Sequence, residues 1–231
     1  MRLVILCILS LYVLGSTPDY TDQANWTGEC TTGTSQSPID IVTSTDQVMD
    51  EKLKLKFNDL GSIEANPSLT QEVKMTGDGG KTKLVDTDGS SSEWSVAQYH
   101  WHAPSEHTVN GDQFDAELHI VHTNEAGDAF LVVGILFDTI GAYNVGSEAF
   151  MEDFMWTTVT TSDTIDSRID QLLRYMPDKS FYHYEGSLTT PPCTEAVSWF
   201  VMREAQRITV EDLAAMEAFF PASGTDRDIQ D

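Results

Sequence analysis

Two short stretches constrain this chain more than any other part of it: Gln98-Tyr99-His100-Trp101-His102 and Ala116-Glu117-Leu118-His119-Ile120-Val121-His122. Their aromatic and β-branched residues favour extended backbone. Side chains alternate between the two faces of a strand, so Gln98, His100 and His102 share one face of the first stretch. By the same rule Glu117, His119 and Val121 share one face of the second, and Leu118, Ile120 and His122 take the other. Asn110-Gly111 lies between them and is a strong signal for a tight hairpin turn. The two strands are therefore expected to be antiparallel neighbours, with His119 facing His100 and His102.

Of the 6 histidines, five fall between positions 100 and 122. A lone histidine in a strand is ordinarily structural, but a His-x-His strand facing a Glu-x-His strand is hard to explain by packing. Three imidazoles on one face match a catalytic zinc site, in which three protein ligands leave the fourth tetrahedral position for water. Zinc fits better than other ions, because the proposed set is neutral imidazole with no thiolate or carboxylate. A metal-bound histidine donates its other ring N–H to an acceptor, and Gln98 and Glu117, each two residues from a ligand on the same face, are placed to accept. His107 and His122 do not share that face and read as hydrogen-bonded structural histidines. Such a metal lowers the pKa of its water and holds it beside an electrophile, and Glu106 and Gly186-Ser187-Leu188-Thr189-Thr190-Pro191-Pro192 are the candidates for orienting it.

Composition narrows the partners. With 13 Lys+Arg against 37 Asp+Glu, the chain of 231 residues carries a formal charge of −24, while its 40% apolar content is that of a globular domain. Phosphate backbones and anionic membrane surfaces require clustered basic residues, and none occur, so neither is an expected partner. The charge reads as a solubility feature, with adaptation to high salt one account of it.

The first residues read as a signal peptide, 1–16, with the mature chain beginning near Thr17. Arg2 gives a positive start, Leu3 to Leu14 is apolar apart from Ser10, and Gly15-Ser16 offers small residues for cleavage. About 12 apolar residues are too few to span a bilayer, and no later run argues for a membrane anchor. Export to an extracellular or periplasmic-type oxidising compartment is expected. Cys7 lies in the signal segment, leaving Cys30 and Cys193, which in an exported chain are expected to be bridged, with two buried free thiols as the alternative. Asn25-Trp26-Thr27 is an N-glycosylation sequon.

No repeat, low-complexity tract or long linker divides residues 17–231, so a single domain is expected. Leu53 to Phe57, Glu72 to Met75 and Lys81 to Val85 alternate with period two, the last two separated by Gly77-Asp78-Gly79-Gly80. Phe130 to Phe137 is apolar enough for a central strand. Helices are expected over 146–156, over 167–176 ahead of Pro177, and over Val210 to Phe220 with Thr209 as N-cap and Leu213, Met216 and Phe220 on the core face. The expected architecture is mainly β (α+β): one large, mostly antiparallel, twisted central sheet with short peripheral helices.

These blocks, together with Ser105-Glu106-His107-Thr108-Val109, Tyr184 to Cys193 and Gln36-Ser37-Pro38-Ile39-Asp40, resemble the signature blocks of the secreted α-class carbonic anhydrases, in the family's order, from about Trp26 to Gln230. The resemblance implies Zn2+ on His100, His102 and His119, with Gln98 and Glu117 supporting His100 and His119. It implies that the Thr189 hydroxyl accepts from zinc-bound hydroxide and donates to Glu106, and that the Thr189 N–H meets a carbonate oxygen. Val121, Val132, Leu188, Val197 and Trp199 match the apolar wall for carbon dioxide, with Thr190 beside them, and Cys30–Cys193 matches the family disulfide. The implied reaction is hydration of carbon dioxide to bicarbonate and a proton by attack of zinc-bound hydroxide, with sulfonamide or anion inhibitors binding at the metal.

Two departures bear on performance. Fast members carry a proton-relaying histidine in the segment aligned with 66–73, which here contains none, so slow, buffer-dependent proton transfer is expected; Glu72 has too low an ordinary pKa to replace it. At the ends, only Tyr20 stands near the family's active-site tyrosine, and Thr225 to Gln230 resembles the family's Asn-x-Arg-x-x-Gln block, with the family's usual final strand not following. The rival readings are an acidic secreted binding or matrix protein on the same fold with little catalysis, and a calcium-binding surface, for which no loop spacing is present.

Overall fold

The computed structural model describes residues 18–44, 54–58, 63–68, 72–77, 80–86, 88–140, 151, 164–165, 172–173, 176 and 178–230. The signal segment lies outside them, as do the helices expected over 146–156 and 167–176 apart from Met151, Leu172, Leu173 and Met176, whose side chains are buried.

Alternating sequence becomes strand wherever one face can be covered. In chain order the strands are β1 (Asp40–Ile41), β2 (Lys54–Asn58), β3 (Ile63–Ser68), β4 (Glu72–Gly77), β5 (Lys81–Val85), β6 (Ser91–His102) and β7 (Thr108–Val109). They continue with β8 (Asp112–Gln113), β9 (Ala116–Thr123), β10 (Phe130–Asp138), β11 (Thr164–Ile165), β12 (Phe181–Gly186), β13 (Val197–Met202) and β14 (Gln206–Arg207). The main sheet runs β11-β3-β4-β6-β9-β10-β13-β12, with β5 also on β6, β2 on β5 and β14 on β10.

The main sheet is mostly antiparallel, as expected, with two parallel pairings that make it mixed. The apolar β10 is its central strand, antiparallel to β9 but parallel to β13 and β14. Parallel pairing needs a long crossover, and the chain between β10 and β13 is long enough to supply one. One local expectation changes. Asn110 and Gly111 take the positive φ values (53° and 84°) of a tight turn, but the hairpin they close is the small β7–β8 pair, which sits between the two histidine strands in sequence. β4 and β5, the two strands separated by the glycine-rich turn signal, both pair with β6, β5 along Ser91–Ser95 and β4 along Gln98–His100.

The two faces of the sheet carry separate cores. Tyr99, Trp101, Leu118, Ile120, Leu131, Val133, Phe137 and Phe200 pack on one face. Val121, Val132, Leu136, Leu188, Val197, Trp199 and Val201 pack on the other, which is also the face of His100, His102 and His119. A 3-10 helix (Tyr20–Asn25) and α1 (Glu29–Thr32) lead into the sheet. α2 (Val210–Glu217) is capped by the Thr209 hydroxyl, which accepts from Asp212 N at 3.0 Å. It buries Met216 with Leu213 and Phe220 beside it, but ends three residues before the expected Phe220. There Phe219 N and Phe220 N turn to carbonyls three residues back, ahead of Pro221.

His122 lies on the core face, its Nε2 2.8 Å from the Thr82 hydroxyl and its Nδ1 3.1 Å from the Leu131 carbonyl. Burial pushes its pKa down to about 4. An unfolded chain binds a proton there near pH 6.5, so the stability this neutral ring contributes is present above that pH and is lost as pH falls towards 4. Urea unfolding is expected to lose about 3 kcal/mol more between those pH values in the wild type than in His122→Gln. Gly134 offers a second test, since a Cβ there would lie 2.8 Å from Glu117 Oε1, an atom held by two imidazoles. Gly134→Ala is expected to destabilise the fold by about 1–3 kcal/mol, measured in the same way.

Candidate active site

β6 and β9 pair with His100 directly opposite His119, Gln98 opposite Val121 and His102 opposite Glu117. A register shift between Val96 and Gln98 precedes this run. Each of the three histidines offers one ring nitrogen, all within 4.8 Å of one another, and all three side chains are buried. Their rings meet edge to face or tilted, with centroids 4.6–5.1 Å apart.

Two of the other ring nitrogens are hydrogen-bonded, and the third lies against a carboxylate. His100 Nδ1 lies 2.8 Å from Gln98 Oε1, His102 Nδ1 2.6 Å from the Thr225 carbonyl, and His119 Nε2 2.9 Å from Glu117 Oε1. Because a carbonyl only accepts, His102 carries its proton on Nδ1, and its buried Nε2 has a lone pair and no hydrogen-bond partner. That atom marks where an ion fits. Burial pushes His102 down to about 3 and His119 also down, so both rings are neutral, as metal ligation requires.

A second grouping, His107, Glu117 and His119, is also close enough to hold a metal ion, but its atoms satisfy one another. Glu117 Oε1 accepts from His107 Nδ1 at 2.7 Å, and Oε2 accepts the backbone N–H groups of Glu106 and His107. His107 Nε2 meets the Tyr184 hydroxyl at 2.7 Å. Burial alone would raise the Glu117 pKa, but His107 and His119 hold it well below the usual carboxylate range. His107 is thus a support for Glu117, in keeping with its reading as a structural histidine.

Glu106 Oε2 lies 3.5 Å from His102 Nε2 and 3.8 Å from His119 Nδ1. Burial pushes its pKa well up; hydrogen bonds from the Thr189 side chain and the Arg227 N–H pull the other way. A cation among the histidines would favour the ionised carboxylate. Thr189 sits on the 186–193 loop, where Ser187 N donates to Ser37 Oγ, Leu188 N to Thr194 O, and Cys193 N to Thr190 O. Cys193 closes the loop by its disulfide to Cys30, with Cα atoms 5.0 Å apart.

A pocket of about 20 Å³ opens beside the histidines, room for roughly one water-sized molecule. Gln98, His100, His119, Val121, Val132, Leu188, Thr189, Thr190 and Trp199 line it. Val197, expected in this wall, is buried in the apolar cluster that backs it. Asn25 is exposed, its Nδ2 2.7 Å from Asp22 Oδ1. Tyr20 packs against Trp26 and is not among the lining residues. His183 stacks on Phe200, a residue of the opposite core, and so faces away from the pocket. The sequence reading missed Thr225 and Arg227 as site residues. The motif around them was visible, but they act here through a backbone carbonyl and a backbone N–H, which residue type does not encode.

Among the described residues no helix is long and apolar enough to cross a membrane. The disulfide is consistent with an extracellular protein. Residues 21–230 match the family described as eukaryotic-type carbonic anhydrase. Alpha carbonic anhydrase 4 of Arabidopsis thaliana is 34% identical over 188 residues, covering 81% of this chain and 67% of that protein. Alpha carbonic anhydrase 6 of the same plant is 34% identical over 184 residues, covering 75% of this chain, so the chain spans 64% of that relative's length. The solved α-carbonic anhydrase of Thermovibrio ammonificans, in complex with the inhibitor sulfanilamide, superposes with a TM-score of 0.67 at 30% identity over 88% of this chain and 86% of that one. On fold, motif order and the match across nearly all described residues, this chain belongs to the eukaryotic-type, or alpha, carbonic anhydrase family.

Proposed function

We propose that this chain is a zinc enzyme that reversibly hydrates carbon dioxide to bicarbonate and a proton, with 17–231 as its catalytic domain. The observation that carries this reading is the buried, unpartnered Nε2 of His102 beside His100 and His119, at the edge of a small apolar pocket. Zinc held by these three residues would supply the Lewis acidity that lets water lose a proton near neutral pH, a behaviour for which carbonic anhydrases are the standard example.

The chain's own residues do the rest. Gln98, the Thr225 carbonyl and Glu117 fix the ring orientations of the three ligands. Thr189 accepts a hydrogen bond from the reacting water and donates its own hydroxyl proton towards Glu106, leaving a lone pair of that water aimed into the pocket. Val121, Val132, Leu188 and Trp199 hold an apolar triatomic molecule and exclude competing water, while the Thr189 N–H and Thr190 stand at its polar edge. Proton export is the weak step, because 66–73 contains no histidine and His183 faces the opposite core. Export through a cleaved 1–16 segment, a glycan on Asn25, and inhibition by sulfonamides or anions belong to the same reading.

Stopped-flow hydration assays test it. Activity is expected to vanish with chelator, return with zinc, fall with a sulfonamide and rise with the concentration of imidazole buffer. A zinc-loaded chain with no hydration activity would overturn the enzyme in favour of a binding role on the same fold, and fast turnover independent of buffer would overturn the proton-transfer step. Thr189→Val is expected to lower kcat/KM about a hundredfold while zinc content stays at one per chain.

A further inference from the structure

We infer that Arg227 is a positioning residue of the metal site, acting on His102 and Glu106 through the backbone of the 225–227 segment. The inference rests on the metal-site reading above. This segment belongs to no helix or strand, so no ladder of backbone bonds holds it. It nevertheless provides two fixed contacts of the site: the Thr225 carbonyl accepts from His102 Nδ1 at 2.6 Å, and Arg227 N donates to Glu106 Oε1 at 3.0 Å. Thr225 is itself tied to Ala103, N to carbonyl and hydroxyl to N–H, each at 3.2 Å.

The Arg227 side chain runs the other way, into the protein. Only 3% of the residue is exposed, and its guanidinium is held by the segment around Cys30 to Ser37. Nη1 donates to the Ser37 carbonyl at 2.6 Å, and Nη2 donates to Gln36 Oε1 at 3.0 Å and to the Cys30 carbonyl at 3.3 Å, with the Trp26 ring 5.7 Å away. Three acceptors spread over two nitrogens suit a rigid planar fork and do not suit the single nitrogen of lysine. Gln23 and Gln230 also tie the segment, but at exposed or half-buried positions. The fork is the buried anchor of Arg227, as the Ala103 pair is of Thr225. If it slackens, the N–H that orients Glu106 shifts, and the carbonyl that fixes the His102 tautomer, two residues away, is left on the Ala103 pair.

Arg227→Lys tests this because it keeps the charge and the backbone N–H and removes the fork. Zinc affinity by chelator competition is expected to fall tenfold to a hundredfold, the range for loss of an outer support, with an altered visible spectrum of the cobalt(II)-substituted protein. Gln230→Ala, on the same segment but off the fork, is expected to keep wild-type affinity and spectrum. If Arg227→Lys does not fold, Gln36→Met decides: it removes one acceptor, and a smaller affinity loss in the same direction is expected. Undiminished affinity in the folded fork variants, or an equal loss in Gln230→Ala, overturns the inference. A wild-type chain that takes up no zinc overturns the metal-site reading itself.

Discussion

The antiparallel register of β6 on β9 is the constraint on which the site depends. A slip of one residue would move every histidine of one strand to the opposite face. Register is held because both faces are committed: Tyr99 and Trp101 are fully buried in the large core alongside Leu118 and Ile120, so neither strand can shift without exposing aromatic surface. The same register sets His102 opposite Glu117, and Gly134 on β10, opposite His119, leaves the space that the Glu117 carboxylate occupies.

From Glu117 a buried polar chain runs through the interior. It passes through His107 to the Tyr184 hydroxyl, to Ser37 Oγ, and to the backbone of Ser187, next to Leu188 and Thr189. Buried polar groups are costly unless satisfied, and satisfied ones hold one arrangement strongly. The strand that carries a proposed metal ligand and the loop that carries Thr189 are therefore held by one continuous network. Gly186 belongs to it by absence, since a Cβ there would run into Ser37 Oγ.

Much of this was legible in the sequence because it depends on period-two alternation and residue type. His100, His102, His119, Gln98 and Glu117 all obeyed the facing rule, and the Cys30–Cys193 bridge followed from counting cysteines in a chain read as exported. Connectivity was less legible. Asn110-Gly111 is a genuine turn, but a turn signal reports only its nearest flanking residues, and those form β7 and β8. The parallel placement of β13 against β10 is set by a crossover and leaves no local pattern. Hardest to read were contacts made by main-chain atoms. Nothing in the word threonine or arginine states that the carbonyl of one fixes His102 and the N–H of the other meets Glu106.

Among the described residues most of the acidic excess behind the net charge of −24 is kept away from this chemistry. Among the described residues the buried acidic and basic side chains, histidines aside, are Glu106, Glu117 and Arg227, and each is hydrogen-bonded within the site or its anchor. Among the described residues the other carboxylates are exposed or half-buried, and apart from Asp226, whose charge reaches Glu106, they act at long range, through a field that salt screens over about 8–10 Å. A neutral molecule such as carbon dioxide enters without feeling that field. Bicarbonate, an anion, is repelled by it, so for the proposed reaction the acidic surface leaves substrate entry unchanged and opposes rebinding of the product.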